Sequence, residues 1–272
     1  MQTELSSPFR VAAIQMVSGP EIAANCADAE RLIGEAVRQG ARLVVLPEYF
    51  PLVSDEQAKV KAREKDGDGP IQDFLARTAR GHGVWIVGGS VPLEASVADK
   101  VRNSCLVYDD EGRRVARYDK IHLFGFQRGE ERYNERATIE PGSKVVSFEA
   151  PFGRVGLSIC YDVRFPELYR AMGKPALITV PAAFTQPTGE AHWELLLRTR
   201  AVENQCYVIA AAQGGRHPSG RLTYGDSMIV DPWGMVLNRL ARGPGVVLAE
   251  IDLEHLAAVR ESLPALAHRI LS

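Results

Sequence analysis

Cysteine is scarce in this sequence of 272 residues, which contains only four: Cys26, Cys105, Cys160 and Cys206. No two of them form a CxxC pair, and none lies in a Cys/His cluster with the spacing of a zinc site. The sequence therefore predicts neither a disulfide framework nor a structural zinc. Widely separated free thiols are typical of a cytosolic protein, so we predict a cytoplasmic location.

Long apolar runs and a surplus of one charge are also missing. No stretch approaches the roughly 20 apolar residues that a membrane-spanning helix needs, and the N-terminus lacks the basic start and apolar run of a signal peptide. Lys and Arg total 32 against 34 Asp and Glu, which gives a formal net charge of −2. This balance argues against nucleic acid or an anionic membrane as a partner and leaves a small molecule.

The sequence does contain a regular alternation of strand-like and helix-like segments. The apolar run "FRVAAIQMV" is followed by an amphipathic segment and then by "ARLVVLPEYF", which together predict a βαβ start. Asn25 and Asp28 have the spacing of a helix N-cap, and Gly40 can end that helix. Since we find no linker or repeat, we predict one α/β domain over residues 1–272, built of mixed β-sheets covered by helices.

Two segments in the middle of the chain differ in kind. "RNSCLVYDDEGRRVARYDK" predicts two strands joined by a tight turn at residues 110–112. The segment 121–143 reads as a long irregular loop, and loops of that length in a compact domain are usually functional or disordered. Glu130 and Glu131 in this loop are interpreted as solvated charges.

Three predicted strands end in side chains that could act together. Glu48, Lys120 and Cys160 each follow a buried run, and sites in layered α/β folds gather where strands end. Cysteine attacks as a thiolate and needs a base, which a poorly solvated carboxylate can provide. A lysine ammonium can stabilise the oxyanion that forms as a carbonyl becomes tetrahedral. The trio therefore indicates acyl transfer through a thioester.

Residue spacing alone leaves other interpretations open. Cys160 could be a packing residue, Glu48 a solvated turn residue and Lys120 half of a surface ion pair. Histidine is the usual partner of a catalytic cysteine, and His122 and His192 are the candidates, although neither has an obvious Asn or Asp to orient it.

Three segments then point to a family. "LVVLPEYF", "YDKIHLF" and "SICYDVRFPELYR" resemble, in order, the signature segments of the nitrilase superfamily, also called carbon–nitrogen hydrolases. The resemblance covers the whole chain. It implies a four-layer αββα sandwich, an enzymatic cycle without a cofactor, and a homodimer that associates through helical faces. We expect those faces on the helices after Cys160 and after His192.

The same resemblance assigns roles to individual residues. It implies Glu48 as the general base, Lys120 as the stabiliser of the tetrahedral intermediate and Cys160 as the nucleophile. The backbone N–H of Tyr161 would complete the oxyanion hole. A second glutamate is expected in the loop after the lysine, and the matching position is Glu135.

Neighbouring residues have both structural and substrate-binding interpretations. We favour a structural role for Asp162 and Glu167, which can pin the turn after the cysteine. Arg164 offers a planar fork suited to a substrate carboxylate or to a structural ion pair. Thr185 is predicted to contact substrate, while Thr188 fits a substrate contact and a helix cap equally well.

The later segments narrow the resemblance to the Nit branch. "AAFTQPTGEAHWELLLRTRAVENQCYVIAAAQGGRH" and "YGDSMIVDPWG" resemble the deaminated glutathione amidases, which "AAAQGGRH" favours, and the omega-amidases that take 2-oxoglutaramate. Both groups imply a small amide substrate with a carboxylate next to an oxo group. A nitrilase or N-carbamoyl hydrolase would use the same trio. Outside these classes stand a non-catalytic binding protein on the same scaffold and a thiol redox sensor, which would need a resolving cysteine near Cys160.

Overall fold

The computed structural model of the protein describes residues 8–129 and 131–270. Its strands are β1 (Phe9–Gln15), β2 (Ala41–Val45), β3 (Trp85–Val87), β4 (Val91–Glu94), β5 (Val101–Tyr108), β6 (Arg114–Asp119), β7 (Gly125–Arg128), β8 (Glu131–Asn134), β9 (Ser147–Ala150), β10 (Gly153–Leu157), β11 (Leu177–Ala182), β12 (Tyr207–Ala212), β13 (Ser227–Val230), β14 (Val236–Leu240) and β15 (Gly245–Ile251). Its helices are α1 (Ile22–Arg38), α2 (Glu56–Lys61), α3 (Pro70–His82), α4 (Pro166–Ala171), α5 (Gln186–Asn204) and α6 (Leu253–Ser262).

The strands form two mixed sheets and a separate hairpin. The first sheet has the order β15-β1-β2-β3-β5-β4, with β6 paired to β5, and the second has the order β14-β13-β12-β11-β10-β9. Strands β1, β2 and β3 run parallel, whereas β15 and β5 pair antiparallel at either side of them. The prediction of mixed sheets is therefore confirmed.

The alternation of side chains along β1 shows how the layers stack. Val11 and Ala13 point to the core between the two sheets, while Ala12 and Ile14 pack with the helical layer of α1 and α3. Helices α4 and α5 pack together, and α5 covers the outer face of the second sheet. All these side chains are buried, so both faces of β1 contribute to the core. The result is the predicted four-layer αββα sandwich.

The start of α1 differs from the prediction. The helix begins at Ile22, and Asn25 lies within it rather than at its N-cap. The Asn25 side chain instead accepts a hydrogen bond from the Gly19 N–H at 2.8 Å and donates to the Gly19 and Pro51 carbonyls. Asn25, a residue type that often caps helices, makes tertiary contacts here instead, and local spacing does not reveal such contacts. The predicted end of the helix at Gly40 is confirmed, since its φ of 89° is left-handed.

The predicted irregular loop at 121–143 contains regular structure. Strands β7 and β8 pair as an antiparallel hairpin, and residues Glu135–Ala137 form a short 3-10 helix. Glu130 and the side chain of Glu131, interpreted above as solvated charges, lie outside the described residues. The short helix α2 was also not anticipated. Among the described helices, none has the length and apolar character required to cross a membrane.

Candidate active site

Cys160 lies at a sharp turn between β10 and a short 3-10 helix, Cys160–Arg164. Its φ of 51° is left-handed, a conformation that costs a non-glycine residue about 1–3 kcal/mol. The buried carboxylate of Asp162 clamps this turn, because it accepts hydrogen bonds from the Ile159 N–H at 2.9 Å and from the Tyr118 hydroxyl at 2.7 Å. The structural interpretation of Asp162 is therefore confirmed.

The two histidines considered as partners of the cysteine have other contacts. The backbone N–H of His122 donates to Asp162 at 3.0 Å, and its ring Nδ1 lies 2.8 Å from the same carboxylate. His192 Nδ1 lies 3.3 Å from the guanidinium of Arg164. Glu167, expected to pin the turn, is instead exposed in the first turn of α4, where an acidic side chain complements the helix dipole.

Glu48 lies just beyond the end of β2 and is only 1% exposed. The tight path of the preceding residues depends on Gly89, whose φ is 55°. A side chain there would bring a Cβ within 2.1 Å of the Pro47 carbonyl oxygen. The Glu48 carboxylate accepts a hydrogen bond from Asn103 Nδ2 at 2.9 Å. Glu48 is thus a buried, oriented group rather than a solvated turn residue.

Lys120 follows β6 and is fully buried between two carboxylates. Its Nζ lies 2.8 Å from Glu48 Oε1 and 2.8 Å from Glu135 Oε2. Burial alone would lower the pKa of this ammonium, but the charges of Glu135 and Glu48 outweigh it and raise the pKa of Lys120 well above its usual value. Lys120 therefore stays protonated, and its pairing is internal rather than at the surface.

Glu135 begins the 3-10 helix that follows the β7–β8 hairpin. Its carboxylate accepts hydrogen bonds from the Tyr49 hydroxyl at 2.9 Å and from the Phe124 N–H at 2.7 Å. Burial acts to raise the pKa of Glu135, yet the Lys120 ammonium and the Phe124 N–H lower it overall. Burial and the Glu135 charge raise the pKa of Tyr49, which therefore remains a phenol donor.

A cavity with an empty volume of about 280 Å³, which includes part of its open mouth, lies beside these groups. Cys160, Glu48 and Glu135 lie in its wall, and so does Tyr161, next in sequence to the cysteine. Burial, followed by the charge of Glu48, raises the pKa of the Cys160 thiol well above its usual value, although Lys120 acts in the opposite direction. The structure thus brings a thiol, an ammonium and two carboxylates together from distant parts of the chain.

The predicted substrate contacts lie at different positions relative to this cavity. Thr185 and Thr188 line it, and their hydroxyl oxygens are 2.7 Å apart. The Arg164 guanidinium lies 5.8 Å and 5.5 Å from the ring centroids of Tyr161 and Phe184, two residues of the cavity wall. Arg164 is therefore a neighbour of the cavity, and its contact with substrate stays a prediction.

Sequence reasoning missed several residues of the site. Asn103 and Tyr49 orient the two carboxylates, and Phe124 and Arg221 line the cavity. Tyr49 directly follows Glu48 in the first signature segment. Its φ of 55° places its backbone in the left-handed region, which residues other than glycine rarely adopt. We find no local signal at Asn103 or Arg221, because their place in the site depends on contacts with distant segments.

Comparison with known proteins agrees with this fold. The profile of the carbon–nitrogen hydrolase family matches residues 10–261. A deaminated glutathione amidase of Synechocystis is 43% identical over 97% of this chain and 98% of its own length. The omega-amidase NIT2 of Danio rerio is 38% identical over 97% and 95%. The crystal structure of Saccharomyces cerevisiae Nit3, a nitrilase superfamily member, superposes with a TM-score of 0.87 at 31% identity and covers 99% of both chains.

The αββα sandwich, the cavity with its cysteine, lysine and carboxylates, and these similarities define a class of enzyme. The chain belongs to the carbon–nitrogen hydrolase family, as its signature segments predicted. It is a hydrolase that acts on carbon–nitrogen bonds.

Proposed function

We propose that this protein is an amidase that hydrolyses deaminated glutathione through a thioester on Cys160. The observation that carries the proposal is the cavity in which Cys160 and Glu48 share a wall while Lys120 holds both nearby carboxylates. The substrate assignment is supported by the Synechocystis relative, which is similar over almost the full length of both chains.

In the acylation step, Glu48 takes the thiol proton while the Cys160 sulfur attacks the amide carbon. The carbonyl electron pair moves onto oxygen, and the Lys120 ammonium and the Tyr161 N–H stabilise that oxyanion. When the intermediate collapses, the carbon–nitrogen bond breaks and Glu48 returns its proton to the leaving amine. The acyl group remains on sulfur as a thioester.

In the deacylation step, Glu48 removes a proton from water, whose oxygen attacks the thioester carbon. The sulfur leaves as a thiol after proton return, and the free acid is released. Glu135 contributes by holding the other side of the Lys120 ammonium, so that the lysine keeps its charge and place through both steps. Thr185 and Arg164 are proposed to contact the substrate.

The experiment is an assay of amine release from deaminated glutathione, with mass spectrometry of the protein to detect an acyl adduct. Cys160→Ala should fold, show no adduct and release no amine. Cys206→Ala is the matched control, because it makes the same change at another buried cysteine and should keep its activity. Turnover by Cys160→Ala equal to that of the natural protein would refute the proposal.

A second candidate is an omega-amidase that acts on 2-oxoglutaramate, since the Danio rerio relative carries that name at 38% identity. The same assay, with ammonia release as the readout, compares kcat/KM for the two substrates. Simple nitriles and N-carbamoyl amino acids complete the panel. A higher kcat/KM for 2-oxoglutaramate would make it the preferred substrate in place of deaminated glutathione. No turnover of either amide would exclude both substrates.

We also propose that the protein is a homodimer in which α5 lies at the contact between subunits. Its outer face and the β13–β14 turn expose large apolar side chains: Leu195 at 66%, Val202 at 49%, Trp233 at 60% and Met235 at 60%. Sedimentation should give a dimer that Leu195→Glu weakens. Val145→Glu, at an exposed apolar residue elsewhere, is the control and should leave it intact.

Two further proposals concern the whole chain. Residues 1–272 form one catalytic domain, which is supported by a hydrophobic core that includes side chains from both sheets. Equilibrium unfolding should then give a single transition with coincident fluorescence and circular dichroism curves. The enzyme is cytoplasmic, which is supported by its four free cysteines and can be tested by cell fractionation.

A further inference from the structure

Arg221 has a binding capacity that the fold itself does not use. Its guanidinium lines the same cavity as Cys160, yet within the described residues its buried Nε has no hydrogen-bond partner. Nη2 donates to the Ala183 carbonyl at 3.2 Å. A buried donor without a partner costs about 1–3 kcal/mol, and a guanidinium is best satisfied by a bidentate carboxylate.

Contacts with neighbouring residues hold the Arg221 side chain and its loop in place. The side chain lies over the ring of Tyr133, on the hairpin next to the cavity, at 5.5 Å from the centroid. The loop that carries it is fastened by the buried His217, which lies 2.8 Å from the Ser18 carbonyl and 2.8 Å from the Thr223 hydroxyl. The His217 N–H also donates to the Arg221 carbonyl at 2.9 Å. Arg221 therefore projects from a braced loop.

The charges around the cavity also favour a role for Arg221 in binding a carboxylate. Glu48 and Glu135 supply two carboxylates to the wall, and Lys120 supplies one ammonium between them. An anionic substrate that enters this site meets a local excess of negative charge, and like charges in a poorly solvated cavity repel strongly. Among the described residues of the cavity wall, Arg221 is the one that carries a positive charge.

We propose that Arg221 is a specificity-determining residue that binds the carboxylate of an anionic amide substrate. The inference rests on the proposed amidase function and deepens it, since it explains how a site with two carboxylates selects a substrate that carries a carboxylate itself. Arg221 lies outside the three signature segments, so this recognition is separate from the catalytic trio.

The test compares substrates that differ in charge. Glutaramate and pentanamide present the same five-carbon amide with and without a carboxylate, and 2-oxoglutaramate adds the oxo group. Arg221→Gln should lower kcat/KM for the two anionic amides by about 10- to 100-fold and change that for pentanamide less than about twofold. Arg221→Lys should fall between. Arg216→Gln is the matched control, because it removes the same charge from an exposed position on the same loop.

A binding measurement makes the inference independent of turnover. In the Cys160→Ala background, calorimetry with 2-oxoglutarate should show binding that Arg221→Gln weakens by about tenfold or more. Equal losses for glutaramate and pentanamide, or equal 2-oxoglutarate affinity with and without Arg221, would overturn the assignment. Failure of the natural protein to hydrolyse any oxo-acid amide would instead refute the proposed function, and the calorimetry would still decide the role of Arg221.

Discussion

Replacement of Asp162 by asparagine should both destabilise the protein and lower the catalytic activity that depends on Cys160. One carboxylate oxygen accepts from the backbone and the ring of His122, and the other accepts from the Tyr118 hydroxyl and the Ile159 N–H. Asparagine keeps only one acceptor oxygen. If the amide nitrogen faces Tyr118 and Ile159, two buried donors lose their acceptor. If it faces His122 instead, the ring Nδ1 can accept from it in the other tautomer, and only the His122 backbone N–H loses its acceptor.

The magnitude follows from this count. Each buried donor left without a partner costs about 1–3 kcal/mol, so Asp162→Asn, which leaves one or two donors unpaired, should lower the free energy of unfolding by about 1–6 kcal/mol. The upper part of this range is a large share of the 5–15 kcal/mol typical of a domain. The left-handed backbone at Cys160 costs about 1–3 kcal/mol to maintain, and the clamp offsets this cost. With the clamp weakened, the turn should relax and kcat should fall.

The assay is denaturant unfolding combined with amide turnover. Tyr118→Phe removes a single donor and should show a smaller loss of stability in the same direction. Glu167→Gln removes a carboxylate from an exposed position five residues away and should stay within about 0.5 kcal/mol of the natural protein. If Asp162→Asn also stayed within 0.5 kcal/mol and kept its kcat, the clamp argument would be wrong.

Three other predictions test the surroundings of the site. Asn103→Ala removes the amide that orients Glu48 and should lower kcat about tenfold in a steady-state assay, and an unchanged kcat would show that Lys120 alone suffices. Tyr49→Phe removes the hydroxyl donor to Glu135 and should have a similar effect on kcat, whereas a pure rise in KM would contradict a positioning role. Burial lowers the pKa of His217, so the folded protein binds a proton on this ring less tightly than the unfolded chain does. The free energy of unfolding should therefore decrease as the pH falls below about 6.5. In denaturation experiments, His217→Gln should reduce this pH dependence.

Much of the fold could be predicted because its layers follow local periodicity. The nearly continuous apolar run of β1 indicates a strand buried on both faces, and the apolar stripe in α1 indicates which side of that helix faces the sheet. The turn at residues 110–112 was also visible, and β5 and β6 flank it as predicted. The start of α1 was wrong for the converse reason, because Asn25 meets its partners through tertiary contacts that local spacing cannot encode.

The residues of the site also fall into those that the local sequence indicates and those that depend on contacts with distant segments. Glu48, Lys120 and Cys160 could be singled out because each follows a predicted strand and carries an unusual side chain for that place. Asn103 lies inside β5, where a buried polar residue gives no indication that it faces Glu48, 55 positions earlier in the chain. Arg221 is a charged residue in a loop rich in Gly, Pro and Ser, a context that normally indicates solvent exposure. Its role depends on the meeting of loops that no short segment describes.

The electrostatics of Cys160 distinguish this site from one that stores a thiolate. Burial and the charge of Glu48 raise the pKa of the thiol, so the resting nucleophile is protonated and Glu48 must take its proton during attack. Glu48→Gln removes a negative charge next to the sulfur and should lower the pKa of Cys160. Alkylation by iodoacetamide at neutral pH should then become faster in the variant, while amide hydrolysis is lost. A thiol redox sensor would need no base for its function, so unchanged reactivity toward both iodoacetamide and peroxide in Glu48→Gln would contradict the general-base assignment.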